Sequence, residues 1–275
     1  MTLQPSDFMC GGDANRNVDR SIDDSSDTFD WLISVRNREE ARIAASHGVD
    51  IIDLKEPLNG SLGSARPDVI RSILGDPLLR SLTLSVALGE GRDAIERASR
   101  LPAGFRFAKA GPAGMTSVAA LREFWSELRQ RIPDTTELVA VAYADFQQAQ
   151  CPPPRQVVEL AAELHFGRVL IDTNRKENGS SISLLGDSGI ADVATRAARK
   201  SLWWSLAGSL ALETISRCWD DWRSREIQPN CLAVRGDACA AGRTGSLCPE
   251  RLRAWKAFRR LIRESTPPTT PSRAP

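Results

Sequence analysis

Two runs place a lysine where a β-strand would end. In Asp53-Leu54-Lys55-Glu56-Pro57, the alternation of an extended chain puts Ile51, Asp53 and Lys55 on one face. Phe107-Ala108-Lys109-Ala110-Gly111 offers a second lysine in the same setting. Tyr143-Ala144-Asp145 and Asp172-Thr173 carry carboxylates to two further strand ends, and Lys176 follows Asp172 by four residues. A lone lysine is ordinarily a surface residue whose stem covers apolar area. Two lysines among several carboxylates at one end of a fold have a different meaning. Burial and neighbouring positive charge disfavour the ammonium and yield the free amine, the form that attacks a carbonyl to make an imine. A second lysine can depress the first and accept protons, while carboxylates shuttle protons and stabilise the iminium. This is carbonyl chemistry of the class-I aldolase kind, and spacing alone does not rank the two lysines as nucleophiles.

Two later runs suggest what the carbonyl compound carries. Leu206-Ala207-Gly208-Ser209 and Val234-Arg235-Gly236-Asp237 place glycines at strand ends, where backbone N–H groups can approach an anion closely. Arg235, and Arg243 in Gly242-Arg243-Thr244-Gly245, could add charge-assisted bonds. The plainer alternative is that these glycines only terminate strands. With lysines and a phosphate cradle together, a phosphorylated small carbonyl compound is the expected substrate class.

The elements that must position these residues alternate in regular order. Trp31–Val35, Asp50–Leu54, Leu82–Val86, Phe105–Lys109, Leu138–Tyr143, Arg168–Thr173, Leu202–Ala207 and Leu232–Arg235 are short apolar runs. Strands this apolar are typical of parallel sheets covered by helices. Between them lie helical patterns. Asn37 with Glu40 three residues on has capping-box spacing, and Gly48 closes that helix. Val118, Leu121, Trp125, Leu128 and Ile132 line one helix face, as do Val157, Leu160, Ala161 and Leu164 after Pro152–Pro154. Leu252, Trp255, Phe258 and Leu261 are assigned to one side of the last helix. Eight βα units predict an α/β single-domain (β/α)8 TIM barrel over residues 30–264, with the site at the C-terminal ends of its strands. A doubly wound sheet is disfavoured, because no GxGxxG follows the first strand and no P-loop is present. Residues 1–29 are expected to be a disordered polar leader, and 265–275 a disordered Pro-rich tail.

Composition narrows the classes further. Of 275 residues, 36 are basic and 35 acidic, for a net charge of +1, which lacks the basic surplus of a nucleic-acid binder. No apolar run is long enough for a membrane span, and the opening residues have no hydrophobic signal core. Cys10, Cys151, Cys218, Cys231, Cys239 and Cys248 form no CxxC pair, so incidental thiols in a reducing cytoplasm are expected. With only His47 and His165 and no cluster at ligand spacing, neither a metal nor another cofactor is expected; an imine supplies its own electron sink. Both histidines lie near helix ends and are read as packing or solvated residues. Trp203, Trp204, Trp219, Trp222 and Trp255 are read as core and helix-packing residues, with Trp219 and Trp222 also candidates for the contact of a homo-oligomer.

The motifs taken in order resemble a known family. Asp50-Ile51-Ile52-Asp53-Leu54-Lys55-Glu56-Pro57, continued by Gly60-Ser61-Leu62-Gly63, is similar to the strand-two signature of the (5-formylfuran-3-yl)methyl phosphate synthases. Lys109-Ala110-Gly111, Tyr143-Ala144-Asp145, Asp172-Thr173-x-x-Lys176, Leu206-Ala207-Gly208-Ser209 and Val234-Arg235-Gly236-x-x-Cys239 extend the likeness from about Leu32 to Arg260. The resemblance implies a lyase that condenses two molecules of glyceraldehyde 3-phosphate into a furan aldehyde phosphate, a precursor of methanofuran-type C1 carriers. It also implies roles: Lys55 as Schiff-base residue, Lys109 as proton acceptor, and Asp53, Asp172 and Lys176 in support. Gly208, Ser209, Arg235 and Gly236 would then hold substrate phosphate. Three departures from the archaeal pattern stand out: a shortened Cys239–Gly245 loop, Asp237 where a small residue is usual, and Asn174-Arg175 before Lys176. An acid beside a phosphate is unfavourable unless paired, so Asp237 is expected to pair with Arg235 or Arg243. The remaining alternatives are another Schiff-base aldolase acting on sugar phosphates and a non-catalytic barrel that binds phosphorylated metabolites.

Overall fold

A computed structural model describes residues 29–265, in which eight parallel strands close into a barrel in sequence order, β8 pairing back onto β1. The strands are β1 (Asp30–Val35), β2 (Ile51–Leu54), β3 (Thr83–Glu90), β4 (Phe107–Gly111), β5 (Glu137–Tyr143), β6 (Arg168–Asp172), β7 (Trp203–Leu206) and β8 (Cys231–Val234). Helices α1 (Arg38–Ser46), α2 (Pro67–Leu74), α3 (Pro77–Arg80), α4 (Gly91–Ala98) and α5 (Val118–Arg129) wrap the first half. The second half is wrapped by α6 (Pro154–Glu163), α7 (Ser181–Arg199, kinked at Gly186), α8 (Leu212–Ser224) and α9 (Pro249–Glu264). No described helix is long and apolar enough to cross a membrane. The expected leader and tail lie outside the described residues, as does Cys10, except at the edges: Phe29 is buried against Trp219, so the packed barrel starts there.

Strand alternation divides the core in two. Along β5, Leu138, Ala140 and Ala142 join the layer between sheet and helices, whereas Val139, Val141 and Tyr143 join the separate cluster inside the barrel. The same inner cluster takes Leu32, Ile51, Phe107, Leu170 and Cys231, which fill the barrel below its C-terminal mouth. Inward positions nearer the mouth change to polar types. Ser34, Asp53 and Ser85 are aligned across β1, β2 and β3, and Tyr143 is aligned with Asp172 across β5 and β6. An apolar plug thus supports a polar rim.

Several expected boundaries move. β3 runs four residues past Val86, to Glu90, with a bulge before its last pairing with Gly111, and β4 starts two residues after Phe105. α1 has its Asn37 cap, accepting from the Glu40 N–H at 2.9 Å, but Glu40 does not complete a capping box. Its carboxylate accepts from the Arg36 N–H instead, and pairs with Arg235. In α9, Leu252 and Trp255 are buried while Leu261 is 61% exposed. Steps of three residues fall roughly 60° short of a full turn each time, so three steps carry Leu261 to the far side; Ile262 takes the buried position. Trp219 and Trp222 are both buried within the chain and are not available as a surface contact.

Candidate active site

The strand-end residues of β2, β4 and β6 meet in one cleft of ≈ 600 Å³, counted out to its open mouth. Asp53 and Lys55 rise from β2, Lys109 from β4, Asp172 from β6, and Lys176 from the short turn after β6. Their pairing is asymmetric. Lys109 Nζ lies 2.8 Å from Asp53 Oδ1, both side chains almost wholly buried, and Ser34 donates its hydroxyl to the other Asp53 oxygen at 3.0 Å. Lys176 Nζ pairs with Asp172 and also donates to the carbonyl and hydroxyl oxygens of Thr173 at 2.7 and 2.9 Å. Ser61, in the loop after β2, ties this second pair down by donating to Thr173 O at 2.6 Å. Lys55 stands between the two pairs and makes no hydrogen bond or ion pair with any described residue.

That difference decides the chemistry each amine can do. Burial disfavours charge on Lys55 and pulls its pKa down to about 8; the carboxylates of Asp172 and Asp53 oppose the shift, and the ammonium groups of Lys176 and Lys109 add to it. Part of the Lys55 side chain still reaches solvent at the mouth, yet its amine is ringed by protein atoms. Near neutral pH a sizeable fraction is the free base. The two aspartates go the other way. Burial pushes each up, and nearby ammonium groups more than offset this, Lys109 and Lys55 for Asp53, Lys176 and Lys55 for Asp172. Both stay carboxylates, each poised to exchange a proton with the lysine that it touches.

The β7–β8 side is built from backbone and arginine. Gly208 (φ +90°), Ser209 (φ +54°), Arg235 and Gly236 all line the cleft. A Cβ on Gly208 would come within 3.0 Å of the Thr173 backbone, so glycine is needed for strand β7 to pass the β6 end. Gly236 is different: its nearest neighbour to such a carbon, Arg243 N, is 3.7 Å away, an ordinary contact. Arg235 lies at the cleft wall, but all five of its N–H donors have protein acceptors. Nε bonds Arg243 O, Nη1 bonds Ser34 O and Glu40, and Nη2 bonds Glu40 and Gly245 O. Its charge is matched by buried Glu40 at 2.8 Å. Arg235 therefore ties β8 to β1 and to its own loop, and no donor is left for a ligand. Asp237 pairs with neither arginine that was expected to neutralise it. It accepts from Trp255 Nε1 at 2.8 Å and from the Leu212 N–H, and its nearest cation is Arg251. It points away from the cleft, which removes the conflict with a bound phosphate.

Other residues at the mouth were not singled out by spacing. Ser34 belongs to no motif, and Ser61 entered only as part of the Gly60–Gly63 run. Glu90 and Tyr143 form a buried pair, with the phenol donating to the carboxylate at 2.5 Å. Burial raises the Glu90 carboxyl, and burial with the Glu90 charge raises the Tyr143 hydroxyl well above its usual range, so the pair retains its proton. One compositional signal was available. Only five of the 36 basic residues are lysines, and three of the five, Lys55, Lys109 and Lys176, converge on this cleft.

Comparison with known proteins shows which family the sequence resembles. The sequence pattern of the 4-HFC-P synthase family matches residues 31–256. The (5-formylfuran-3-yl)methyl phosphate synthase of Methanosarcina barkeri is 29% identical over 227 residues, spanning 80% of this chain and 94% of its own. That of Methanopyrus kandleri is 29% identical over 219 residues, spanning 77% and 90%. Among solved structures, phosphoribosyl anthranilate isomerase from Thermotoga maritima superposes with a TM-score of 0.56 at 15% identity, covering 84% of this chain and 98% of its own. At that identity the likeness concerns the barrel alone.

Proposed function

Because the chain belongs to the 4-HFC-P synthase family, we propose that it is a carbon–oxygen lyase that condenses two molecules of glyceraldehyde 3-phosphate into (5-formylfuran-3-yl)methyl phosphate through an imine on Lys55. The product serves the building of a methanofuran-type C1 carrier. The observation that carries the reading is the contrast among three lysines: Lys109 and Lys176 are ion-paired, and Lys55 between them is desolvated and bare.

The steps follow from that contrast. The free Lys55 amine adds to a triose carbonyl carbon and loses water to give an iminium, whose positive charge acidifies the neighbouring C–H. The Asp53–Lys109 pair lies on one side of that position and serves as proton acceptor, leaving an enamine. The enamine carbon attacks the aldehyde of the second triose, and the Asp172–Lys176 pair on the other side supplies a proton to the new alkoxide. Ring closure, elimination and release from Lys55 complete the furan. The balance is two triose phosphates in, and one furan aldehyde phosphate, one inorganic phosphate and two waters out. No oxidant or reductant is required.

Purified protein given glyceraldehyde 3-phosphate alone tests this. The expected result is a new ultraviolet absorbance of a conjugated furan aldehyde, with inorganic phosphate released in equal amount. With borohydride, an adduct on Lys55 is expected by mass spectrometry. An acyclic sugar phosphate without a chromophore would point to a simple aldolase, and absence of any adduct would remove the imine.

A further inference from the structure

The cleft holds a guanidinium that the imine chemistry does not use and that no described carboxylate neutralises. Arg243 sits in the loop after β8 and lines the cleft opposite the lysines. Its Nη2 donates to the carbonyls of Pro57 and Gly60, in the loop that begins two residues after Lys55. Among the described residues, its Nε and Nη1 have no acceptor and no carboxylate pairs with it. Arg235, by contrast, has every donor filled and its charge cancelled by Glu40.

The charge balance makes the vacancy meaningful. Inside the cleft Lys55, Lys109, Lys176 and Arg243 face only two carboxylates, Asp53 and Asp172. Each carboxylate is already matched by a lysine, so Arg243 is the guanidinium with no counter-charge. An arginine at such a place is held ready for an anion. Its backbone loop is braced by Arg235 Nε on Arg243 O and by Arg36 Nη1 on Thr244 O at 2.8 Å. Its head is pinned by two carbonyls, so little side-chain freedom remains to be lost when a ligand arrives. The donors that remain lie on two separate edges, Nε–H on one and Nη1–H on the other, and each can give a charge-assisted bond to a phosphoryl oxygen.

We propose that Arg243 is the phosphate-recognition residue of this cleft and sets its preference for phosphorylated over unphosphorylated aldehydes, Gly208, Ser209 and Gly236 supplying close backbone beside it. The inference rests on the reading that an aldehyde is engaged at Lys55. Of the two arginines that the sequence offers for this contact, it keeps Arg243 and drops Arg235. It also links recognition to the reacting lysine, because the guanidinium that grips the phosphate also holds the loop leading away from Lys55.

The experiment compares the full-length protein with Arg243→Ala and Arg243→Lys. Borohydride trapping rates on Lys55 are measured with subsaturating glyceraldehyde 3-phosphate and with glyceraldehyde, and binding of inorganic phosphate is measured separately by calorimetry. The expected result for Arg243→Ala is a fall of about tenfold to a hundredfold in trapping by the phosphorylated aldehyde. Trapping by glyceraldehyde should stay within about threefold, phosphate binding should weaken in parallel with the first rate, and Arg243→Lys should recover part of both. An equal fall for both aldehydes would assign Arg243 to loop support alone and overturn the proposal. So would unchanged phosphate binding. If the wild-type protein traps neither aldehyde, the imine reading fails, and the calorimetric comparison still decides the role of Arg243.

Discussion

On the β2–β4–β6 side of the barrel mouth the cations are lysines, and on the β8–β1 side they are arginines. Each side has committed and uncommitted members. Lys109 and Lys176 are bound to Asp53 and Asp172, as Arg235 is to Glu40. Lys55 and Arg243 have no carboxylate of their own. Two of the committed cations are buried deeply and hold elements together, Lys109 joining β4 to β2 and Arg235 joining β8 to β1 and α1, while half-buried Lys176 braces its own turn after β6. The uncommitted ones stand at the cleft surface with unused capacity, a lone pair on Lys55 at mild pH and free N–H donors on Arg243. Under the function proposed above, the two sides use different residue types because their tasks differ. Imine formation requires an amine that can lose its proton, which arginine cannot do near neutral pH, whereas holding a phosphate calls for a fixed, permanently charged fork. The comparison teaches that burial and charge do not mark a functional cation by themselves. What marks it is being poised in the cleft without a partner.

The sharpest way to break this comparison is to remove Lys55. Lys55→Met should lower turnover by about four orders of magnitude or more and abolish the borohydride adduct. Yet the variant should be more stable than the wild type at pH 7, by about 1–3 kcal/mol, because it relieves the cost of burying an ammonium. The pH dependence gives the sign. Lys55 titrates near 8 when folded and at 10.5 in the ordinary state, so between those values the unfolded chain binds more protons. Stability of the wild type should therefore rise with pH across that window relative to Lys55→Met, and the gap should close above it. Denaturant unfolding at several pH values reads this. A Lys55→Met variant less stable than wild type at every pH would show that the amine is structural.

Removing a committed cation should do the reverse. Lys109→Met leaves Asp53 buried without its ion-pair partner, and Arg235→Met leaves Glu40 without its guanidinium. Each should cost about 3–5 kcal/mol of stability, the penalty of a buried charge that has lost its partner. Adding Asp53→Leu to the first or Glu40→Leu to the second should recover much of the loss, which equilibrium unfolding would detect. If Arg235→Met instead kept full stability and weakened phosphate binding, the assignment of the two arginines would have to be exchanged.

The smallest effect separates the two glycines of the arginine side. Gly208→Ala should destabilise by about 1–3 kcal/mol, since the backbone is left-handed there and the new methyl would press on Thr173. Gly236→Ala should stay within about 0.5 kcal/mol, having an ordinary contact only. Thermal melts of the two variants side by side would test it, and equal losses would mean that both glycines are steric requirements of the strand ends.

Much of this molecule is written in local patterns. Alternation along apolar runs followed by helical periodicity is enough to place eight strands and to turn Asp53, Lys55, Lys109 and Asp172 toward one interior, because the side-chain period of a strand is set by its own backbone. The glycines after β7 and β8 are legible as strand ends for the same local reason. Other features were decided only when the barrel closed. Which carboxylate meets which lysine depends on β2, β4 and β6 being brought across the same interior, and so the bareness of Lys55 is a tertiary fact. Arg235 and Arg243 are eight residues apart in a chain that has left strand periodicity, and no local rule says that one faces Glu40 and the other the cleft. Asp237 found its partners in α8 and α9, and Leu261 lost its expected burial to helical phase. Local backbone geometry determines which face a residue occupies. Partners within reach are determined by the closure of the sheet, and in this cleft it is the partners that separate a structural charge from a reactive one.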